Sequence, residues 1–563
     1  MAFVRFFALG GLGENGKNMY CVEVDKDLYV LDAGLKYPGS HMYGVDEIIP
    51  DYRMLIKAKK RIRGIFLTHA HEDHIGAIPY LIENLNVPVY GTKFTLDVLY
   101  DDLKDHDIDP LSVDFVEFDE EDVFEFESSK ISFFNTAHSI PGSVGCAIHT
   151  PMGVVVYTSE YTMNQTIKTM ISTNFHRLSQ LSQEGVLALL TEAVGSSTFY
   201  DSANALHLDH ILNGIFSTRN SRILVSLFST DFKQIQKIFD LVLLNNKKIV
   251  VVGDKGKRII EMAIKTKSLL LPKDAYLEAN EENLERYNEN LVILITGSRF
   301  EPFSRLQNIV NGKDDLLFLK NSDKIVLMTA PIPGTEKAHA KALDFLYRTD
   351  ADITNIPQKL LSSSHATEEE IKIMINILSP KYIVPVIGEY RHQYGFKKIV
   401  LDVQFDEKNL FLMDNGDTLN FDGRDVYLSK GDIQTSEILI DGTPLDDEKD
   451  VVVRDREIMA DDGTLIIVAH IDPKDKKVVG EPEIITKGFV YIKESPEVIA
   501  KIKEIFYTVS EKHLQGKYIN WNDFKREVKD EIVKYTYQLN RRSPITIPVI
   551  ISIEEGNIRE SQE

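Results

Sequence analysis

The chain has 563 residues, too many for one hydrophobic core, and predicts roughly three or four domains. Apolar residues at 43% and charged residues at 27% are ordinary globular values, so disorder is not the expectation, and no run approaches the roughly 18 apolar residues of a membrane span. The net charge of −22 argues against a general affinity for nucleic acid, because phosphate binding draws on Lys and Arg, but it leaves room for a local basic channel.

In chain order, the opening MAFVRFFALGG lacks a basic leader and meets Gly/Asn turn signals at once, so it predicts a first β-strand rather than a signal peptide. Gly10-Gly11-Leu12-Gly13 has the look of a phosphate loop, but no Lys-Ser/Thr follows and it reads as a tight turn. Two cysteines, Cys21 and Cys146, are too few for a disulfide framework or a thiolate zinc motif, and the cytosol is the expected compartment. Up to about residue 200, strand-like apolar runs alternate with turns and a few helical segments: LYVLDAG (28–34), GIFLTHA (64–70), ISFFNTA (131–137), GVVVYTSEY (153–161) and GVLALLTEA (185–193). These are the marks of buried strands, and several end in a His, Asp or Glu, as a sheet does when its strand ends present a site. From 206 to 357 the rhythm changes to strands such as RILVSLFS and KKIVVVGD alternating with helical patterns such as DFKQIQKIFDLVLL. That alternation predicts a parallel sheet covered by helices. The first pattern resumes after 358, so the middle unit reads as an insertion. Residues 434–449 are polar and acidic and read as a linker, and 450–563 alternates strands with helices around 497–512 and 521–539. Three basic clusters, Lys57 to Arg63, Lys255-Gly256-Lys257-Arg258 and Arg541-Arg542, read most simply as solvated faces.

The strongest chemical signal is Thr68-His69-Ala70-His71-Glu72-Asp73-His74. An apolar strand ends at His69, and Ile75, Ile78, Leu81 and Ile82 then mark the core face of a helix. His69 and His71 lie two apart in extended chain and so point the same way, while Asp73 and His74 fall at the helix start. Neutral imidazoles with a carboxylate suit zinc or a similar divalent ion. His138 alone would be a packing histidine, and Glu160 an N-cap or solvated carboxylate; with a metal cluster to complete, both become candidate ligands.

Taken together, HxHxDH, a later His past a strand and a further acidic strand end resemble the metallo-β-lactamase pattern, and the inserted unit is similar to a β-CASP domain. Finer stretches, among them LDAGLKYP (31–38), THAHEDHIGAIPYL (68–81), AHSIPGSVG (137–145), FSTDFKQIQ (228–236), TGSRFEP (296–302), PIPGTE (331–336), GEYR (388–391), DGTLIIV (462–468) and NRRSPITIPVI (540–550), resemble a bacterial ribonuclease J, or a divergent paralogue of one, over nearly the whole length. The resemblance implies an α/β chain: a metallo-β-lactamase αββα sandwich (1–205 and 358–433), an inserted parallel α/β β-CASP domain (206–357), a linker (434–449) and a small α+β C-terminal association domain (450–563). It implies one ion on His69, His71 and His138, part of a second on Asp73 and His74, and Glu160 as a bridge, with one or two Zn2+ per chain and Mn2+ as the alternative. It further implies His365 and Glu192 as catalytic residues and Leu361, Ser362, Ser363, Ser364 and His365 as the segment that contacts a substrate phosphate.

The activity so implied is a ribonuclease cutting RNA phosphodiester bonds, as a 5′-to-3′ exonuclease and an endonuclease, in mRNA decay and rRNA processing in the cytoplasm. The implied assembly is a homodimer or homotetramer, or a hetero-oligomer with a second ribonuclease J, with no membrane partner. The chain departs from the family pattern at five places. Glu160 and Glu192 stand where the family has Asp, Leu361 and Ser364 replace a His and a Gly, and Ile387 replaces a His that ligates the second ion. Asp to Glu keeps the charge, whereas Ile has no donor atom, and His392 is the nearest substitute in sequence. Two readings therefore stand: a working zinc-dependent ribonuclease, and a weakened RNA-binding paralogue that assembles with an active one. A small-molecule hydrolase shares the first motif but gives no reason for so large an insertion.

Overall fold

The computed structural model describes residues 3–39, 42–163, 172–197, 202–332, 334–361, 363–423, 425–444, 449–490, 495–516 and 518–553. Its internal contacts divide the chain into two units, Met1–Tyr37 with Glu47–Ile438, and Pro38–Asp46 with Leu439–Glu563.

The first unit is built on two mixed sheets. One runs, in spatial order, Val426–Ser429, Thr418–Phe421, Val4–Gly10, Met19–Val24, Asp27–Leu31, Ile62–Phe66, Val89–Gly91 and Phe115–Glu117. The other runs Tyr382–Val386, Val186–Glu192, Gly153–Tyr157, Val144–Thr150, Lys130–Asn135 and Val123–Glu125. Their inner faces meet in one core. Phe6, Tyr20, Val22, Tyr29, Leu31 and Phe66 come from the first sheet, and Ile131, Phe133, Cys146, Val155, Tyr157 and Leu190 from the second. The apolar residues recur at every second position, as strands require if one face is to reach a partner sheet. The outer face of the second sheet is closed by the helices Phe175–Glu184, Glu368–Leu378 and Tyr390–Asp402, through Leu178, Leu181, Ile371, Met374, Phe396 and Ile399. Glu368–Leu378 is started by a capping box between Thr367 and Glu370.

Between Glu192 and Tyr382 the chain leaves to build a separate five-stranded parallel sheet, in the order Lys248–Val252, Leu291–Gly297, Ile223–Phe228, Lys324–Leu327, Asp352–Asn355. Its inner strands are near-continuous apolar runs such as LVILITG, which is buried throughout, because helices cover both faces of a parallel sheet, while the edge strand Asp352–Asn355 is polar at both ends and partly exposed. This is the α/β class expected from the βαβ rhythm. In the second unit, the strands Thr464–Asp472, Lys477–Lys487 and Ile545–Ser552 form a sheet whose inner face packs Leu465, Ile467 and Ile471 on the helices Pro496–Leu514 and Trp521–Asn540. One element departs from the sequence reading. Part of the polar stretch 434–449 is a strand, Glu437–Asp441, with Ile440 1% exposed, because its three central residues Ile438, Leu439 and Ile440 are apolar and outweigh the acidic flanks.

Candidate metal centre

The centre forms at the ends of four strands. Past Ile62–Phe66, the backbone stays extended through His71 (φ −81°, ψ 145°) and turns into the short helix Glu72–Ile75. His69 and His71 therefore project together, and Asp73 and His74 follow on the first helical turn, as their spacing predicts. His138 stands three residues past Lys130–Asn135. Glu160 stands three residues past Gly153–Tyr157, after a left-handed residue at Ser159 (φ 52°). Glu192 is the last residue of Val186–Glu192.

Three imidazoles converge. His69 Nε2 lies 3.0 Å from His71 Nδ1, and His138 Nε2 lies 3.2 Å from the same atom. Glu160 Oε2 is 2.9 Å from His138 Nε2, 3.4 Å from His69 Nε2 and 3.6 Å from His71 Nδ1. His138 Nδ1 donates to the Ser364 carbonyl at 2.8 Å, so the neutral ring turns its Nε2 lone pair inward. Burial, helped by the neighbouring histidines, lowers the pKa of His69 well below the ordinary value and that of His138 to about 4. Burial would favour the neutral acid of Glu160, but His365 and the facing imidazoles hold its carboxyl well below the usual range. Lone pairs and a carboxylate gathered this closely repel unless a cation joins them. Four ligands at about 2.0–2.1 Å from a zinc-like ion sit roughly 3.3 Å apart, the spacing found here. The donor set fits a divalent metal.

A second group consists of Asp73, His74 and Glu160. His74 Nε2 is 3.7 Å from Asp73 Oδ2 and 3.8 Å from Glu160 Oε1. Two residues missed in the sequence reading shape this group. Asp32, fully buried at φ 60°, takes His74 Nδ1 at 2.8 Å and the Tyr157 hydroxyl at 2.8 Å on one oxygen, and the Thr68 N–H at 2.8 Å on the other. Burial opposes a charge on His74, but Asp32 and Asp73 raise its pKa above the ordinary value. Asn18 sets its amide nitrogen 3.1 Å from His74 Nε2 and donates to Asp73 Oδ2 at 3.3 Å. A signal for Asp32 existed in the strand end LYVLDAG; none marked Asn18. Ile387 lines the same cavity with an apolar side chain, 2% exposed. His392 does not replace it: its Nδ1 accepts from the Glu389 N–H at 3.2 Å, capping its own helix.

His365 Nδ1 is 2.8 Å from Glu192 Oε2 and 3.5 Å from Glu160 Oε1, while Glu192 Oε1 accepts from the Tyr161 and Ala366 N–H groups, each at 2.9 Å. Burial opposes the imidazolium, but the Glu160 and Glu192 carboxylates push His365 up to about 9. Ser363 Oγ accepts from the His365 N–H at 3.0 Å, and Ser363, Ser364 and His365 line the cavity. Leu361 is not among the lining residues, and Ser362 lies outside the described residues. The centre opens into a cavity of about 600 Å³ walled on its far side by Ser229, Asp231, Lys233, Ser298 and Arg299 of the inserted unit.

Four family models match in chain order: the metallo-beta-lactamase superfamily over 12–188, the ribonuclease J beta-CASP domain over 220–346, the Zn-dependent metallo-hydrolase RNA specificity domain over 357–402 and the ribonuclease J C-terminal domain over 451–553. With the two facing sheets and the His/Glu cluster, they define a metallo-β-lactamase fold with a β-CASP insertion. The chain is 35% identical to Ribonuclease J2 of Bacillus subtilis over 98% of its own length and 99% of that relative's. It is 35% identical to Ribonuclease J 2 of Staphylococcus epidermidis and 34% to Ribonuclease J 2 of Staphylococcus aureus, each over 98% of both chains. It belongs to the ribonuclease J family. Among solved structures, a protein of unknown function from Enterococcus faecalis V583 shares the fold, with a TM-score of 0.52 at 14% identity, covering 75% of this chain and all of that one.

Proposed function

We propose that the chain is a metal-dependent ribonuclease that cuts RNA phosphodiester bonds from the 5′ end and internally, in mRNA decay and rRNA processing in the cytoplasm. The observation that supports this most is the convergence of His69, His71, His138 and Glu160, all within 3.6 Å of a shared partner atom, at the floor of a cavity shared with the inserted unit. His69, His71 and His138 would hold one ion, Zn2+ or Mn2+, with Glu160 between it and Asp73 and His74. When bound, such an ion supplies Lewis acidity toward a phosphoryl oxygen and toward water. The protein's own part is positional and acid–base. Glu192 holds His365 Nδ1, which leaves Nε2 as the nitrogen able to hand a proton to a leaving oxygen, and the Glu192 carboxylate beside the ring favours its protonated form. Asp32 fixes the tautomer and plane of His74. No helix of the described residues is long and apolar enough to cross a membrane.

One observation favours a second reading, a weakened RNA-binding paralogue that assembles with an active ribonuclease J. Ile387 offers the second group no donor atom, and His392 is engaged elsewhere. Within this proposal the domain limits are 1–205 with 358–433, 206–357 and 450–563, and the last supports dimers or tetramers. The deciding experiment counts metal per purified chain and follows hydrolysis of 5′-monophosphorylated RNA. Metal with hydrolysis supports the nuclease; RNA binding without hydrolysis supports the paralogue; neither binding nor hydrolysis refutes both.

A further inference from the structure

The second group has donors in Asp73, His74 and Glu160, and Ile387 adds none. Asn18 faces the same space from just before the strand Met19–Val24, and it is fully buried. Its backbone is held on both sides. The Asn18 N–H donates to the Asp73 carbonyl at 3.1 Å, and the Asn18 carbonyl accepts from the Gly34 N–H at 2.9 Å. Gly34 runs so close to this junction that a Cβ there would meet the Asp73 carbonyl oxygen at 1.6 Å, an approach that only glycine permits.

The amide of Asn18 turns its nitrogen to the group, 3.1 Å from His74 Nε2 and 3.3 Å from Asp73 Oδ2. Asp32 takes the other ring nitrogen of His74, so Nε2 is the one presented there. The amide oxygen accepts from the Tyr20 hydroxyl at 2.9 Å. That hydroxyl can serve either end of the amide. It lies 3.1 Å from the Gly11 carbonyl and can donate there instead, and of its two lone pairs the Ile387 N–H uses one. The second is then free to accept from the amide N–H. A half-turn of the amide therefore exchanges its ends with every partner still satisfied, because the two ends have nearly the same shape. It sets a carbonyl oxygen beside His74 Nε2 and Asp73 Oδ2 at the roughly 3.3 Å that separates ligands of one ion.

We propose that Asn18 is a metal ligand, supplying through Oδ1 the donor that Ile387 lacks and completing a second site with Asp73, His74 and Glu160. This rests on the metal-dependent reading above. Without the ion, the amide N–H stands between an imidazole nitrogen and a carboxylate and offsets part of the charge there. The completed set has three oxygens and one imidazole. Such a set suits Mn2+, whereas the three imidazoles of His69, His71 and His138 suit Zn2+, so the two sites differ in the ion they take.

The test counts ions rather than turnover. Full-length protein given one equivalent of Zn2+ is titrated with Mn2+, and unbound Mn2+ is read by electron paramagnetic resonance. The unmodified protein should bind one Mn2+ per chain and keep its Zn2+. Asn18→Leu preserves the shape of the side chain and removes both polar atoms. It should weaken Mn2+ binding by more than the roughly tenfold that loss of an outer partner costs, with Zn2+ retained as the sign of an intact fold. Asn18→Asp keeps an oxygen in place, adds a charge and should hold Mn2+ at least as tightly as the unmodified protein. Weaker Mn2+ binding by Asn18→Asp overturns the proposal, and this arm decides even where Asn18→Leu also loses Zn2+. Unchanged Mn2+ binding by Asn18→Leu, or Zn2+ without any Mn2+ on the unmodified protein, overturns it too and leaves the metal reading standing on the first centre. If the unmodified protein takes up neither ion, the metal-dependent reading itself fails.

Discussion

Ile387 is held at φ 52°, a left-handed conformation that β-branched side chains rarely adopt, with its N–H donating to the Tyr20 hydroxyl at 3.0 Å. Histidine tolerates that conformation better and adds a donor atom. Ile387→His together with Glu160→Asp should therefore raise second-metal occupancy, read as metal per chain, without loss of thermal stability. If the chain is a weakened nuclease, hydrolysis should rise with it, roughly tenfold for a contact of about 1.4 kcal/mol in the transition state. Two tightly held ions in the unmodified protein would show that Ile387 is no handicap. His71→Ala should strip the first ion and abolish hydrolysis while leaving circular dichroism unchanged, because the ring sits on a loop past the strand end; retained hydrolysis by the metal-free variant would sink the metal reading. At this scale the local cluster was legible, since His69, His71, Asp73 and His74 need only one strand end and one helical turn to meet. Asp32 and Asn18 were not, because their partner His74 stands 42 and 56 positions away.

Among the elements, the helix Asp254–Lys265 of the inserted unit overturns a sequence reading. Its basic cluster was expected to be a solvated face, but it is tied by charge to the helix Lys93–Asp105. Lys255 Nζ is 2.7 Å from Asp102 Oδ1, and Arg258 is 2.8 Å from Asp101 and 2.6 Å from Asp105. The carboxylates recur on one helix face at 101, 102 and 105, a pattern that from sequence alone is just as consistent with solvent. Asp102 is the buried member, its side chain 9% exposed. Lys255→Met should leave that carboxylate without its cation and cost about 1–3 kcal/mol in denaturant unfolding. Asp102→Asn added to Lys255→Met should recover part of the loss, giving a measurable coupling. Arg258→Ala, at an exposed pair, should cost only about 0.2–1 kcal/mol.

For the molecule as a whole, the second unit keeps an outer sheet face on which Ile485, Ile547, Val549 and Ile551 are 37%, 43%, 36% and 42% exposed. A run of exposed β-branched residues on a sheet face is the kind of surface that partner chains cover. If the C-terminal unit is the association module, deletion of 450–563 should lower the assembly state in light scattering. Val549→Glu with Ile551→Glu should do the same without touching the inner core formed by Leu465, Ile467 and Ile471. An unchanged particle state, after subtracting the deleted mass, would refute the association role.

What the sequence determined by itself was whatever depends on short range. Strand and helix periodicity, the change of rhythm at the insertion and the HxHxDH spacing are properties of neighbouring residues, fixed by the repeat of each element. Such periodicity is enough to reach the α/β class and to gather the first candidate ligands. The tertiary structure decided whatever depends on distant segments meeting. It joined His138 to the Ser364 carbonyl, set Glu192 behind His365, buried Asp32 between His74 and Tyr157, and ion-paired the basic helix that looked solvated. Which partner a charged or polar side chain finds is set by packing across the fold, and residue type does not record it.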